Sequence, residues 1–123
     1  MSHILVVDDS SSMREMVSYT LTTAGHSVMA AADGAQALRI AEDGVDHFDL
    51  VITDINMPVM DGLTLIRELR GLRRYSYRPI LVLSTESSPE TKSAGRSAGA
   101  TGWIVKPFDP DKLLGVVGKV LPQ

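Results

Sequence analysis

The stretch HILVVDDSSSMRE, residues 3–15, runs a short apolar segment directly into two adjacent carboxylates. Residues 4–7 show no alternation of polar and apolar side chains, which is typical of a parallel strand covered on both faces. Asp8 and Asp9 follow at once, and three serines then lead into a helical pattern. The stretch predicts a buried strand that ends in a double negative charge, and something must offset the repulsion between those charges.

The composition excludes several classes of protein. A chain of 123 residues predicts one domain, over residues 1–123. With 12 basic and 15 acidic residues, the net charge of −3 gives no reason to expect nucleic-acid or membrane binding. The lack of cysteine excludes disulfides and thiolate metal sites. No apolar run approaches the ~20 residues of a membrane span, and no secretion signal begins the chain, so we expect a cytoplasmic protein.

Five short apolar runs alternate with helical patterns along the whole chain. The runs cover residues 4–7, 27–31, 50–53, 80–83 and 102–105. Strands that alternate with helices in this way form a parallel sheet with right-handed crossovers and helices on both faces. The sequence therefore predicts an α/β fold in which functional groups gather at the carboxyl ends of the strands.

Start and stop signals bound the helices. Ser12 stands three residues before Glu15, a capping-box pattern, and Gly25 ends the first helix. The others are predicted over about 35–42, from near Asp61 to 71, over 89–98, and from Asp109 onward. Residues at helical spacing, all apolar except Thr20, predict the stripes of three helices: Met13, Met16, Val17, Thr20, Leu21 and Ala24 in the first helix, Leu65, Ile66 and Leu69 in the third, and Leu113, Val116, Val117, Val120 and Leu121 in the fifth.

Two segments are weak in pattern. The fourth helix contains Gly95, which costs ~1 kcal/mol relative to alanine, so this helix is either the element that moves or simply a short surface helix. The basic segment GLRRYSYRP, residues 71–79, is interpreted as a solvated loop.

Charged and hydroxyl side chains follow the predicted strands at one edge of the sheet. The first strand ends in Asp8 and Asp9, the third in Asp54, the fourth in Ser84 and the fifth in Lys106. Carboxylates ~4 Å apart repel by about 4 kcal/mol at an effective dielectric near 20, so three in one pocket require a cation or a proton. Oxygen ligands without cysteine or a placed histidine favour Mg²⁺ over zinc. The alternative, that the paired aspartates cap the first helix, is less favoured because serines already supply the cap.

Asp54 is open to two interpretations, a third metal ligand or a nucleophile that attacks phosphorus. In the second case Lys106 and the metal would neutralise the phosphoryl oxygens, and Ser84 could donate a hydrogen bond to one of them. The proline at 107 predicts an extended or turn geometry, with a cis bond as one form, that directs Lys106 along the sheet edge. No nucleotide-binding glycine motif and no Ser/His/Asp arrangement is present, and the three histidines are interpreted as ordinary surface residues.

Four segments together resemble the receiver domain of two-component response regulators, and the resemblance covers essentially the whole chain. They are VVDD (6–9), DINMPVMDG (54–62), LSTE (83–86) and AGATGWIVKPF (98–108). DDSSSMRE is most similar to the single-domain chemotaxis regulators of that family. The resemblance implies a flavodoxin-like (βα)5 fold with strand order 2-1-3-4-5. This order is taken from the family and does not follow from the residues alone.

The resemblance also implies a role for each matching residue. Asp54 would be the phosphoacceptor, and Lys106 would pair with the phosphoryl group. Asp9 would bind Mg²⁺ directly, Asp8 through water or weakly, and the backbone carbonyl of Asn56 would complete the protein ligands. The remaining roles follow the family pattern: Ser84 as the switch hydroxyl, Trp103 as the switch aromatic where tyrosine or phenylalanine is frequent, and Asn56 and Glu86 as neighbours that set the phosphate lifetime.

The implied function is a signalling switch rather than an enzyme. A histidine kinase would donate the phosphoryl group, a flagellar motor switch protein would receive the signal, a phosphatase would remove it, and the protein would act as a monomer. A phosphorelay shuttle or phosphate sink is the alternative within the family. A small phosphatase with an aspartyl nucleophile is the alternative of another class, although Asn56 replaces the second aspartate of that motif. Because Gln123 follows the fifth helix closely, we expect no output domain.

Overall fold

The computed structural model describes residues 2–121. Gln123, on which the expectation of no output domain rests, lies outside this range. The described chain forms five strands and five α-helices in alternation: β1 (His3–Val7), α1 (Ser11–Thr23), β2 (Ser27–Ala31), α2 (Gly34–Asp43), β3 (Leu50–Thr53), α3 (Gly62–Arg70), β4 (Ile80–Ser84), α4 (Pro89–Ala98), β5 (Gly102–Val105) and α5 (Pro110–Val120).

The strands pair in parallel in the order β2-β1-β3-β4-β5, as the resemblance implied. The predicted α/β fold is therefore confirmed. β1 lies between β2 and β3, with Val6 opposite Ala30 of β2 and Ile52 of β3, and β3 is the central strand. Every residue of β3 and β4 is buried, which explains why their sequences show no alternation.

Two apolar layers cover the two faces of the sheet. One face packs against α1 and α5 through side chains that include Val17, Leu21, Leu113 and Val117. The other face packs against α2, α3 and α4, and its core side chains include Ala37, Ala41, Leu65, Ile66, Leu69 and Ala98. The stripes predicted for the third and fifth helices are confirmed, although Val116 and Val120 are only partly buried.

The start of α1 differs from the prediction. Ser10, and not Ser12, is the N-cap: its hydroxyl accepts a hydrogen bond from the backbone N–H of Met13 at 3.2 Å. The helix starts earlier because Ser10 adopts extended backbone angles directly after the turn at Asp8. The predicted stripe is also too wide, since Met16 is 51% exposed and Ala24 is exposed at the C-cap.

The interpretation of residues 71–79 as a merely solvated loop is wrong. Residues Arg73–Tyr75 form a 3₁₀ turn, and the Tyr75 side chain is fully buried, where its hydroxyl accepts from the Phe48 N–H at 3.3 Å. Arg70 adds a second anchor, because its guanidinium donates to the carbonyls of Arg78 at 2.6 Å and Gly99 at 2.7 Å. Composition alone does not reveal such backbone contacts.

Within residues 2–121, no helix is both long and apolar enough to cross a membrane.

Candidate functional site

The carboxyl edge of the sheet brings together three residues that each follow directly on a strand. Asp8 follows β1, Asp54 follows β3 and Lys106 follows β5. Strand pairing continues past the strand ends, since the Asp54 N–H donates to the Val7 carbonyl at 3.0 Å and the Lys106 N–H to the Ser84 carbonyl at 2.8 Å. These backbone bonds fix where each functional side chain starts.

The ammonium group of Lys106 is bonded by two carboxylates from different strands. Its Nζ donates to Asp8 Oδ2 at 2.8 Å and to Asp54 Oδ2 at 2.9 Å. The three side chains are only 10%, 5% and 11% exposed, respectively. Each carboxylate also accepts a backbone N–H on its other oxygen, from Ser10 at 2.9 Å and from Ile55 at 2.6 Å. The two acids are thus held in fixed positions.

Asp9 adds a third carboxylate to the same pocket. One oxygen each from Asp8, Asp9 and Asp54 lie within 4.8 Å of one another, and only Asp9 is exposed. Three carboxylates against one ammonium leave two negative charges unbalanced. Carboxylate oxygens clustered around an opening are the ligands that Mg²⁺ prefers, and a divalent ion would balance the charge. The donor set therefore fits such an ion, and Ser10 rather than either aspartate caps α1.

The charge state of Lys106 is set by opposing effects. Burial lowers the pKa of the ammonium group, but the hydrogen bonds and negative charges of Asp54 and Asp8 raise it by more, so the pKa lies above its ordinary value. Lys106 is therefore a fixed positive charge at neutral pH. The Lys106–Pro107 peptide bond is cis.

The loop between β3 and α3 closes tightly over the backbone of Asp54. The Gly62 N–H donates to the Ile55 carbonyl at 2.8 Å, and a Cβ at position 62 would collide with the carbonyl oxygen of Asp54. Only glycine allows this approach. Asn56 lies in this loop, two residues after Asp54, and is exposed.

The loop after β4 joins the remaining predicted residues to one another. Ser84 is fully buried, and its hydroxyl accepts from the Glu86 N–H at 3.2 Å. The carbonyl of Glu86 in turn accepts from the indole N–H of Trp103 at 2.9 Å. Glu86 and Trp103 are both half-buried. The two hydrogen bonds therefore connect Ser84, at the sheet edge, through Glu86 to Trp103 of β5.

Sequence reasoning missed two supporting residues and misjudged a histidine. Arg14 donates to the backbone carbonyl of Asp8 at 2.7 Å, and Gly62 permits the loop closure; the quoted motifs contain both, but their spacing does not indicate either contact. His3 is not an ordinary surface residue, because it stacks on Phe48 and bonds Asp46 at 3.0 Å. It begins β1, at the sheet edge opposite the acidic cluster.

Comparison with known proteins gives consistent similarities. Residues 4–118 match the response regulator receiver domain family. The structure of the Vibrio cholerae chemotaxis protein CheY4 is 50% identical, with a TM-score of 0.93 over 98% of this chain and 99% of that chain. A chemotaxis protein CheY homolog of Campylobacter jejuni is 40% identical over 111 residues, which are 89% of this chain and 85% of the relative. The receiver domain of a Pseudomonas aeruginosa sensor histidine kinase, which has a magnesium ion coordinated in its active site cleft, is 28% identical, with a TM-score of 0.89 over 97% and 96% of the two chains.

The first prediction concerns the shared ammonium group. Replacing Lys106 with methionine leaves two buried carboxylates without their common partner, and we expect the free energy of unfolding without metal to fall by on the order of 3 kcal/mol. The exposed Lys112 of α5 is a matched control, and its replacement with methionine should change stability by less than about 0.5 kcal/mol. Urea denaturation of both variants in a metal chelator measures the difference. Equal effects of the two substitutions would show that the ammonium group does not hold the pocket.

Proposed function

The chain belongs to the family of response regulator receiver domains, and from that premise we propose that it accepts a phosphoryl group on Asp54 from a histidine kinase. The observation that carries the proposal is the contact of Lys106 Nζ with Asp8 and Asp54 at 2.8 and 2.9 Å. A carboxylate held beside a fixed cation at an open sheet edge is suited to nucleophilic attack on phosphorus. Receiver domains act as signalling proteins, and this chain is proposed to catalyse only its own phosphorylation and dephosphorylation.

The proposed transfer forms one bond and breaks one. A carboxylate oxygen of Asp54 bonds to phosphorus while the phosphorus–nitrogen bond of the phosphohistidine breaks, and the electron pair stays on the imidazole. Lys106, already directed at Asp54, neutralises charge on the phosphoryl oxygens. The product is an acyl phosphate on Asp54.

We propose that the acidic cluster holds Mg²⁺. Asp9 and Asp54 would bind the ion directly, Asp8 through water or weakly, and the backbone carbonyl of Asn56 would add an oxygen. When bound, the ion supplies positive charge that offsets the negative charge of the phosphoryl oxygens. Two observations support the assignment: the two unbalanced negative charges of the pocket and the magnesium ion in the cleft of the Pseudomonas aeruginosa receiver.

The other residues of the site are proposed to read and limit the signal. The Ser84 hydroxyl accepts from Glu86 and keeps its own proton to donate to a phosphoryl oxygen. That donation would draw the loop after β4 toward Asp54. Asn56 and Glu86 are proposed to control how fast water removes the phosphate, and we expect fairly rapid loss.

We propose that the output surface consists of α4, β5 and α5. Trp103 lies at its centre, between an open cleft of about 190 Å³ lined also by Lys92 and Arg96 and another of about 360 Å³ lined also by Phe108 and Lys112. The first cleft carries two cations and no acid, which suits a partner segment with acidic and apolar side chains, whereas Asp109 accompanies Lys112 in the second. The names of the CheY-like relatives support a chemotaxis role. For that role we propose a CheA-like kinase upstream, a flagellar motor switch protein downstream and a phosphatase that ends the signal.

A second candidate is a receiver that serves a phosphorelay or a non-motor partner, either as a shuttle or as a phosphate sink. The similarity to the receiver domain of a sensor histidine kinase favours keeping it. The aspartyl phosphatase alternative is not proposed, because family membership accounts for the acidic cluster without steady hydrolysis of a substrate.

The phosphoacceptor assignment is tested at Asp54. Replacing it with asparagine should abolish labelling by acetyl phosphate or a phosphorylated kinase, because the amide lacks the nucleophilic oxygen. The exposed Asp111 of α5, replaced in the same way, should leave labelling unchanged. Mass spectrometry detects the added phosphoryl group. Equal labelling of the Asp54 variant and the wild type would place the acceptor elsewhere.

The metal assignment is tested at Asp9. Because Asp9 is exposed, its replacement with asparagine should leave the fold intact but weaken Mg²⁺ binding by about tenfold or more, through loss of one charged ligand. Calorimetric titration of the chelator-treated protein measures the affinity, with the Asp111→Asn protein as control. Undiminished Mg²⁺ uptake by the Asp9 variant would remove Asp9 from the ligand set.

The partner is tested by measuring which proteins bind to the immobilised chain. The amounts bound are compared with and without the phosphoryl analogue beryllofluoride and Mg²⁺. The chemotaxis role predicts that a flagellar motor switch protein is retained several-fold more with the analogue. Retention of a histidine phosphotransfer protein or another enzyme in its place would favour the second candidate.

A further inference from the structure

Gly95 of α4 lies directly against the indole ring of Trp103. A Cβ built at position 95 would lie 2.7 Å from Cζ3 and 3.1 Å from Cε3 of the ring. Non-bonded carbon atoms do not approach this closely, so either the ring or the helix would have to move. The ring therefore occupies the space that any side chain at position 95 would need.

The missing side chain has no explanation within the helix itself. Glycine within a helix is less favourable than alanine, and Gly95 is a buried residue of the last turns of α4. Gly115 of α5 provides the contrast, because a Cβ built there meets no other atom within 4 Å. The ring of Trp103 requires glycine at position 95, whereas no neighbouring group requires it at position 115.

The opposite end of the same indole is tied to the loop after β4. Trp103 Nε1 donates to the Glu86 carbonyl at 2.9 Å, and the Glu86 N–H donates to Ser84 Oγ at 3.2 Å. The position of the ring on α4 thus determines whether its N–H reaches the loop that carries Ser84.

We propose that Gly95 is a positioning residue for phosphorylation: it provides the space in which the Trp103 ring packs against α4 and keeps its N–H bonded to the loop that carries Ser84. The inference rests on the proposed function. With the ring against α4, Glu86 stays bonded to Ser84, whose hydroxyl proton is then left to donate to a phosphoryl oxygen. On this proposal the bonded loop favours the phosphorylated state, and phosphorylation favours the ring position against α4 by the same free energy.

Tryptophan emission and beryllofluoride binding test the proposal together. Trp103 is the only tryptophan, so the emission of the intact protein reports on this ring alone. Gly95→Ala should expel the ring toward water and shift the emission to longer wavelength. It should also weaken beryllofluoride binding in Mg²⁺ by about two- to tenfold, the range that corresponds to one lost hydrogen bond. Gly115→Ala, the same change without a neighbour, should match the wild type in both measurements.

A second variant guards against a folding defect in the first. Trp103→Phe keeps an aromatic ring but removes the N–H that bonds Glu86, and it leaves α4 unchanged. It should weaken beryllofluoride binding, measured by calorimetry, in the same range. Two results for Gly95→Ala would overturn the positioning role. One is emission that does not shift, and the other is shifted emission with unchanged beryllofluoride binding. Failure of the wild type itself to bind beryllofluoride would instead overturn the proposed function.

Discussion

One ammonium group shared between two buried carboxylates is the interaction on which the site depends. Asp8 and Asp54 come from the neighbouring strands β1 and β3, whereas Lys106 comes from β5, so its side chain must reach across the end of β4. Two fixed carboxylates in this setting are tolerable only with a cation between them. The ammonium group thus joins both halves of the sheet edge, and the pocket still retains two negative charges for a divalent ion.

The packing of the fold serves to keep these charges in place. The strands that carry the aspartates are buried on both faces, and Arg14 holds the carbonyl of Asp8 while Gly62 lets a loop close over the backbone of Asp54. A carboxylate so constrained cannot move away from its neighbours to relieve repulsion. Constrained charges of this kind lower stability, a trade that is general at functional sites, and on the proposed function this position is the one that accepts a phosphoryl group.

The strands and the gathering of acidic residues were predictable because they follow from simple rules. Short apolar runs without alternation are buried, and parallel strands end at a common edge, so Asp8, Asp54 and Lys106 were expected at that edge. The errors concern contacts that composition does not encode. The N-cap of α1 is Ser10 and not the predicted Ser12, because a turn at Asp8 sets the backbone angles there. Tyr75 is buried although the segment around it is basic. Gly95 was interpreted as a weakness of α4, whereas the structure relates it to the ring of Trp103.

The charge of the pocket explains why a small chemical change could alter the distant surface. On the proposed chemistry, Asp54 exchanges one negative charge for a phosphoryl group of about −1.5 to −2. Lys106 is already shared, so the added charge needs a new donor, and the Ser84 hydroxyl is the buried donor on the adjacent strand. One hydrogen bond to a charged group contributes about 1.5–3 kcal/mol, which shifts an equilibrium between two arrangements by roughly 10- to 150-fold. A shift of that size is enough to change the population of a loop that Glu86 and Trp103 connect to α4 and β5.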